Sequence, residues 1–303
     1  MSQTKLLIVS DGLIPSTSGY ALHPQLDPWR KQLMRCSRNW FNSAPKTPLE
    51  WYGVLQGHSP TELLLNAARE SIPDKSRQIW IASPYHAQLA RDRIMVMPDS
   101  LLPWRAEDAE WICDLLNPLL KEEGIELLRH KAALILACET PISAEPDSFA
   151  LISGKELPNR HPEGVDGGRL MRLMSEIQMV LNLEPAEHRR AAGEPDIHGL
   201  WLWGGEEISE VSSGIVLPSV ATRDTQLASI SEAKDAEIMI CDADQLSQLS
   251  KPEGGLAKHI LIAGQGQAVL LKSSMLPRFG SRGWQARPSA PEAALILVLR
   301  CLK

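Results

Sequence analysis

No two cysteines in this sequence are spaced as a CxxC pair or as zinc ligands: Cys36, Cys113, Cys138, Cys241 and Cys301 are scattered and odd in number, which fits a reduced chain in the cytoplasm. Long apolar runs are missing too. The opening "MSQTKLLIVSDG" is apolar only from Leu6 to Val9, too little for a secretory leader. The runs "AALILAC" (132–138) and "AALILVL" (293–299) fall far short of the roughly 20 residues of a spanning helix. A soluble chain without a membrane partner is expected. Basic residues are not in excess: 31 Lys and Arg stand against 37 Asp and Glu, for a net charge of −6, so nothing electrostatic calls for a nucleic-acid partner.

The eight histidines never form HxH or HExxH, which argues against a zinc hydrolase of standard pattern. "GQGQ" (264–267) and "GG" (204–205) lack the lysine or third glycine of a phosphate-binding loop. No internal repeat, heptad or low-complexity tract is present.

What is present alternates between strand and helix. "KLLIVS" (5–10) reads as a buried strand ending at Asp11-Gly12, and an irregular segment is expected over 14–48. "QIWIA" and "RIMVM" within 78–97 read as two strands that could pair as neighbours. The stretch 105–124 reads as a helix with acidic opening turns, a kink or break near Asn117 before Pro118, and Gly124 as its stop. "HKAALILAC" (130–138) is a further strand, and 139–168 is loop-rich around a short strand "FALIS" (149–153).

Residues 168–183 have helical spacing, with Leu170, Leu173, Met174, Ile177 and Leu181 on one face. "LWLW" (200–203) reads as a strand buried on both faces, Trp201 and Trp203 on one side and Leu200 and Leu202 on the other, central in its sheet and stopped by Gly204-Gly205. Loops over 204–236 surround a strand at 214–218, and strands follow at 237–241, 259–263, 268–271 and 294–299. The sum is an α/β chain with some antiparallel pairing, most economically one domain over 1–303.

Several groups could carry chemistry. Asp11, followed by Ser16, Thr17 and Ser18, could hold a hard metal ion, although Asp-Gly is first of all a turn dipeptide. Arg30, Lys31, Arg35 and Arg38 could meet a phosphate, although such a run is more often the wet face of a helix. His86, Arg91, Asp92 and Arg93 lie close in sequence, and an aspartate between two arginines suits an ion-paired hairpin.

With "KLLIVSDGL", "SPYHAQLARDRIMVM", "SEIQMVLNL" and "HGLWLWGGEE", the chain resembles the bacterial phosphoglycerate-mutase-like family, also described as regulatory proteins of the regulation-of-pathogenicity-factor E type. That family is a shortened relative of archaeal-type cofactor-independent phosphoglycerate mutases. The resemblance implies an alkaline-phosphatase-like mixed sheet flanked by helices, with Asp11, Asp242 and Asp244 as metal ligands. It also implies a glycine-rich strand end at Gly204 and Gly205, where a ligand could approach. A phosphorylated ligand would, on the reading of the basic residues, be met by Arg30, Arg35 or the Arg91/Arg93 pair.

The sequence departs from the pattern in several places. Gln245 to Ser250 stand where a metal-site histidine is expected, His198 where an asparagine is expected, and Glu206 where a third glycine is expected. The glycine-serine-aspartate segment and the late Asp-His-x-Thr-Pro segment are missing. The resemblance therefore implies a truncated or degenerate metal site. Three functions stay open: a non-catalytic regulatory module with a protein partner and no cofactor, a manganese- or zinc-dependent phosphomutase or phosphatase, and a metal-free binder of a phosphorylated small molecule.

Overall fold

The computed structural model describes residues 4–17, 19–43, 47–98, 101–208, 220–222, 224–231, 236–247, 257–264 and 266–272. Where the sequence reads most economically as one domain, the chain divides into two compact units: Met1–His58 with Val216–Lys303, and Ser59–Ile215.

Strand β1 (Leu6–Ser16) opens the first unit, followed by β2 (Gly19–Leu22), a 3-10 turn (Pro24–Trp29), α1 (Arg30–Leu33), β3 (Ser37–Asn42) and α2 (Pro48–Gln56). The described residues of the segment 14–48 are thus built into elements rather than irregular. Short polar elements with mixed periodicity hide it from a pattern search, and long-range pairing makes it: β2 folds back on the end of β1, and β3 pairs a strand far along the chain. Thr47 starts α2 with a capping box. Its hydroxyl accepts from Glu50 N–H at 3.2 Å, the Glu50 carboxylate accepts from Thr47 N–H at 3.3 Å, and Pro48 takes the first helical position.

The second unit begins with α3 (Pro60–Ala68), capped in the same way by Ser59 and Glu62. Then come β4 (Gln78–Tyr85), β5 (Ala87–Ala90), β6 (Arg93–Val96), α4 (Ala106–Leu120), β7 (Ile125–His130), β8 (Ala133–Cys138), α5 (Phe149–Ile152), α6 (Gly167–Leu183), α7 (Glu187–Ala191) and β9 (Gly199–Glu207). Its main sheet is antiparallel in the order β7-β8-β4-β9, with β5 and β6 as a separate hairpin. All eight residues of β4 are buried. Helix α6 packs on β9 through the expected face, with Leu170, Leu173, Met174, Ile177 and Leu181 all buried.

Several expectations change here. "RIMVM" pairs with β5 and not with "QIWIA", because the chain leaves β4 at Tyr85 and returns within a tight turn at Arg91. "FALIS" is helix rather than strand: Leu151 N–H finds Ser148 O and Ser153 N–H finds Phe149 O, so local bonds satisfy the backbone without a partner strand. Helix α4 runs on past Pro118. The proline falls in the last turn, and the Asn117 amide is held from outside by both backbone groups of Leu127 on β7, at 2.9 and 2.8 Å. Gly124 does terminate the segment, in the left-handed conformation, after a closing 3-10 turn.

Strand β9 lies at the edge of its sheet, not in the centre, and does not stop at the tandem glycine. Ile81 pairs with Trp203 and Ile79 with Glu206, so Gly204 and Gly205 together oppose Trp80: a bulge whose first residue is left-handed at φ 68°. Only glycine suits both places. A Cβ on Gly205 would come within 2.6 Å of the buried Trp80 ring, and one on Gly204 would meet the Thr61 hydroxyl.

The chain then completes the first unit with β10 (Val220–Thr222), α8 (Thr225–Ile230), β11 (Ile238–Cys241), α9 (Ala243–Ser247), β12 (His259–Gly264) and β13 (Gln267–Lys272). The expected strands at 214–218 and 294–299 lie outside the described residues. The sheet order is β10-β11-β1-β12-β13-β3, parallel from β10 to β12 and antiparallel beyond, with β2 on β1. Leu7, Val9, Leu26, Trp29, Leu33 and Trp40 share one core with Ile260 and Ile262, and each such burial is worth about 1.5–3 kcal/mol. Both units are mixed α/β. Among the described residues no helix is long and apolar enough to cross a membrane.

Candidate functional site

In an open parallel sheet, ligands meet the chain beyond the carboxyl ends of the strands. β1 lies between its parallel neighbours β11 and β12, and Asp11 stands just past Val9, the last residue paired with both. The strand does not end there. Val9 pairs with Ile262 and Leu13 with Gly264, so the residues between form a bulge before β1 continues to Ser16. Gly12 is buried in that bulge, where a Cβ would lie 2.5 Å from Ile262 Cγ2 and 3.0 Å from Leu26 Cδ1. Packing therefore requires the glycine, and the dipeptide is neither a turn nor a strand end.

The bulge carries Asp11 over the start of α9. Its Oδ1 accepts from Ala243 N–H at 2.6 Å. Asp242, just beyond β11, is the cap of the same helix: its Oδ1 accepts from Gln245 N–H at 2.6 Å, and Gln245 Oε1 accepts from Asp242 N–H at 3.3 Å. "DADQ" is thus a reciprocal capping box. Asp244 follows in the first turn, where negative charge suits the helix dipole. The three aspartates named from sequence do meet, around the amino end of one short helix.

Electrostatics at Asp11 are mixed. The residue keeps an exposed surface, yet protein crowds its carboxyl, and this desolvation raises its pKa above the ordinary value. Asp244 pushes the same way, while the Ala243 N–H and His23 oppose it. A centre of two metal ions needs several carboxylates and histidines around cations about 4 Å apart. Among the described residues no group of three or more His, Cys, Asp and Glu could hold a metal ion. The donor set at α9 does not fit one: Asp11 and Asp242 are turned to backbone N–H groups, and Gln245 serves the cap.

The prediction at this site is specific. Asp242→Ala should cost about 1 kcal/mol, the usual worth of an N-cap, whereas Asp242→Asn should be nearly neutral because asparagine caps equally well. Urea unfolding of the two variants measures the difference. A loss with Asn equal to that with Ala would contradict the capping role.

The remaining candidates are dispersed. Gly204 and Gly205 oppose Trp80 near the start of β4, whereas the β5–β6 hairpin that carries Arg91 and Arg93 leaves from the other end of that strand. Arg91 occupies the turn at φ 60°, and Arg93 pairs with Asp92 at 3.8 Å and Glu156 at 3.3 Å. Arg30 pairs with Asp27 at 3.3 Å, Lys31 and Arg35 are exposed, and Arg38 donates to Met34 Sδ at 3.4 Å. Among the described residues Cys36, Cys113, Cys138 and Cys241 are free thiols, and burial pushes Cys113 up to about 11 and Cys138 to about 12, away from the reactive thiolate form.

Glu206 and His198 also hold local structure. Glu206 Oε2 accepts from the Ser59 hydroxyl at 3.4 Å, at the start of α3, where burial and nearby Glu62 raise its pKa. His198 Nδ1 accepts from Ala87 N–H at 3.1 Å.

One cluster escapes a sequence reading altogether. Asp108 and Arg189 are fully buried and paired at 3.0 Å, with His188 Nε2–H donating to Asp108 at 2.8 Å and Arg105 N–H at 2.8 Å. Its members lie some eighty positions apart, so no local spacing could have marked it.

No protein-family model matches the chain, and no curated protein matches it. Among solved structures it is similar to the cofactor-independent phosphoglycerate mutase from Thermoplasma acidophilum DSM 1728, with 10% identity, a TM-score of 0.37, and coverage of 98% of this chain and 99% of that one. A likeness this low does not establish a shared fold.

Proposed function

We propose that this chain is a non-catalytic, regulatory or protein-binding relative of the phosphoglycerate-mutase-like family, working in the cytoplasm without a metal cofactor. The observation that carries the reading is the Asp242–Gln245 capping box, joined by Asp11 on Ala243 N–H. A residue series that would hold a cation in the mutases here closes a helix end. Gln245 opens the stretch in which the resemblance calls for a histidine, and its amide supports that cap. His198 and Glu206 follow the same logic, each bonded to a neighbouring element where the family pattern has another residue.

The test is turnover. The full chain, incubated with manganese or zinc and a panel of small phosphomonoesters including phosphoglycerates, should release no phosphate and isomerise nothing above a buffer control. Metal-dependent turnover that disappears in Asp11→Asn would overturn the reading and restore an enzyme.

A further inference from the structure

His86, in the link between β4 and β5, meets His198, just before β9, with ring centroids 4.7 Å apart and planes inclined by 48°. Their hydrogen bonds fix the protons. His86 Nδ1 is 2.8 Å from Asp196 O, and a carbonyl only accepts, so Nδ1 bears the hydrogen and Nε2 takes the Gln88 amide at 3.3 Å. His198 Nδ1 accepts from Ala87 N–H at 3.1 Å, which leaves its hydrogen on Nε2. The His198 ring is therefore neutral in this arrangement. With Nδ1 engaged and Nε2 protonated, His198 presents no free lone pair to a metal ion, so the pair is not a cation site.

Ala87 is the first residue of β5. On the opposite strand, β6 is fastened by Val96 N–H to Lys155 O at 2.8 Å and by Leu157 N–H to Ile94 O at 2.8 Å. The hairpin holds out Leu89, 77% exposed, and its cross-strand partner Ile94, 40% exposed. From these contacts we infer that His198 is a proton-operated latch: gaining a proton at Nδ1 breaks its bond to Ala87 N–H and releases the first residue of β5, which stays in the hairpin through β6 and through Met97 N–H on His86 O at 2.9 Å.

The chemistry is a single protonation by solvent. A backbone N–H cannot turn into an acceptor, so Nδ1–H and N–H would face each other and the contact must open. The groups bearing on His198 are His86, whose own charging would place two cations at ring-contact distance, and Asp196, which is itself drawn to Arg190 at 3.5 Å. From α6, Asn182 donates to His198 O at 3.3 Å and brings no charge. Burial, and then His86, lower the His198 pKa from 6.5 against the opposite pull of Asp196. The sign follows: the neutral, latched form is complete at neutral pH, and its contribution is lost as pH falls below 6.5 through the folded-state pKa.

Amide hydrogen exchange on the full chain tests this, with rates corrected for the intrinsic effect of pH. Between pH about 7.5 and about 5, protection of Ala87 should fall about ten-fold or more, while Ile79 to Ala82 in β4 stay protected. His198→Asn offers an acceptor near the Nδ1 position that does not titrate in this range. There Ala87 should hold constant protection across the same pH span. Ring titration of the unsubstituted protein by NMR supplies a second reading that needs no variant. Protection that stays constant while the His198 ring titrates would overturn the latch, and so would an equal pH response in His198→Asn.

Discussion

Asp108→Ala is expected to destabilise the protein by about 3–5 kcal/mol, the cost of breaking a buried ion pair from one side. Arg189 would be left with a guanidinium that no water reaches. Its Nε donates to Pro195 O at 2.9 Å and its Nη1 to Pro103 O at 2.8 Å, but neither carbonyl is charged, and the Glu194 carboxylate lies farther off at 3.6 Å and is shared with Arg105. The same Asp108 carboxylate receives His188 and the Arg105 backbone, so one substitution loosens the start of α4 and α7 together. Replacing Asp108 and Arg189 together with apolar residues of similar volume should recover much of the loss, since desolvated charge pairs rarely outperform apolar packing. Chemical denaturation of the single and double variants measures both effects. A cost below about 1 kcal/mol for Asp108→Ala would show that the pair is not sealed from water.

The pair also gives the protein an acid limit. Burial alone would raise the Asp108 pKa, but hydrogen bonds from His188, Arg189 and Arg105 outweigh it and hold the carboxyl below 3.8. A depressed carboxyl stabilises fully above its unfolded-state value, and that stabilisation is lost as pH falls from 3.8 through the folded-state pKa.

Trp201→Ala is the second large effect, at about 3–5 kcal/mol, because it removes one of the largest side chains from a packed site. Trp201 is 3% exposed, and its indole N–H donates to Asp147 O at 2.8 Å, tying β9 to the loop before α5. The lost volume and the orphaned carbonyl act together. Trp203 sits similarly, its N–H on the Ser83 hydroxyl at 2.9 Å. Thermal and urea unfolding should report the cost without a change in the unfolding slope. A loss under about 1 kcal/mol would mean that the site collapses around the smaller side chain or that the ring is not core.

The sequence was most legible where one periodicity held over a long stretch. The apolar face of α6 and the strand cores at 6–9, 133–138 and 259–263 could be read directly, because burial on a sheet or against a helix repeats at a fixed interval. Two helix starts, "TPLE" at 47–50 and "SPTE" at 59–62, also carry a local signal, a capping hydroxyl, a first-turn proline and a returning glutamate, though apolar periodicity alone passes over them. What stayed hidden depends on distant partners. Gly204-Gly205 looks like a stop until Trp80 is placed opposite, and "FALIS" looks like a strand until it proves to have no sheet neighbour. The candidate site follows the same rule. Asp11, Asp242 and Asp244 could be named from sequence, and "DADQ" carries a local capping signal, but that the Asp11 carboxylate addresses Ala243 N–H follows only from the bulge after Val9.

The most direct test of these carboxylates' role is metal binding by the purified, untagged chain, read by mass spectrometry and calorimetry after incubation with manganese and zinc, alongside Asp11→Asn and Asp242→Asn. If Asp11 and Asp242 are helix caps, all three proteins should carry no stoichiometric metal and unfold at nearly the same denaturant concentration. Stoichiometric metal in the unsubstituted chain, lost in either asparagine variant together with part of its stability, would contradict the capping role and make the amino end of α9 a metal centre.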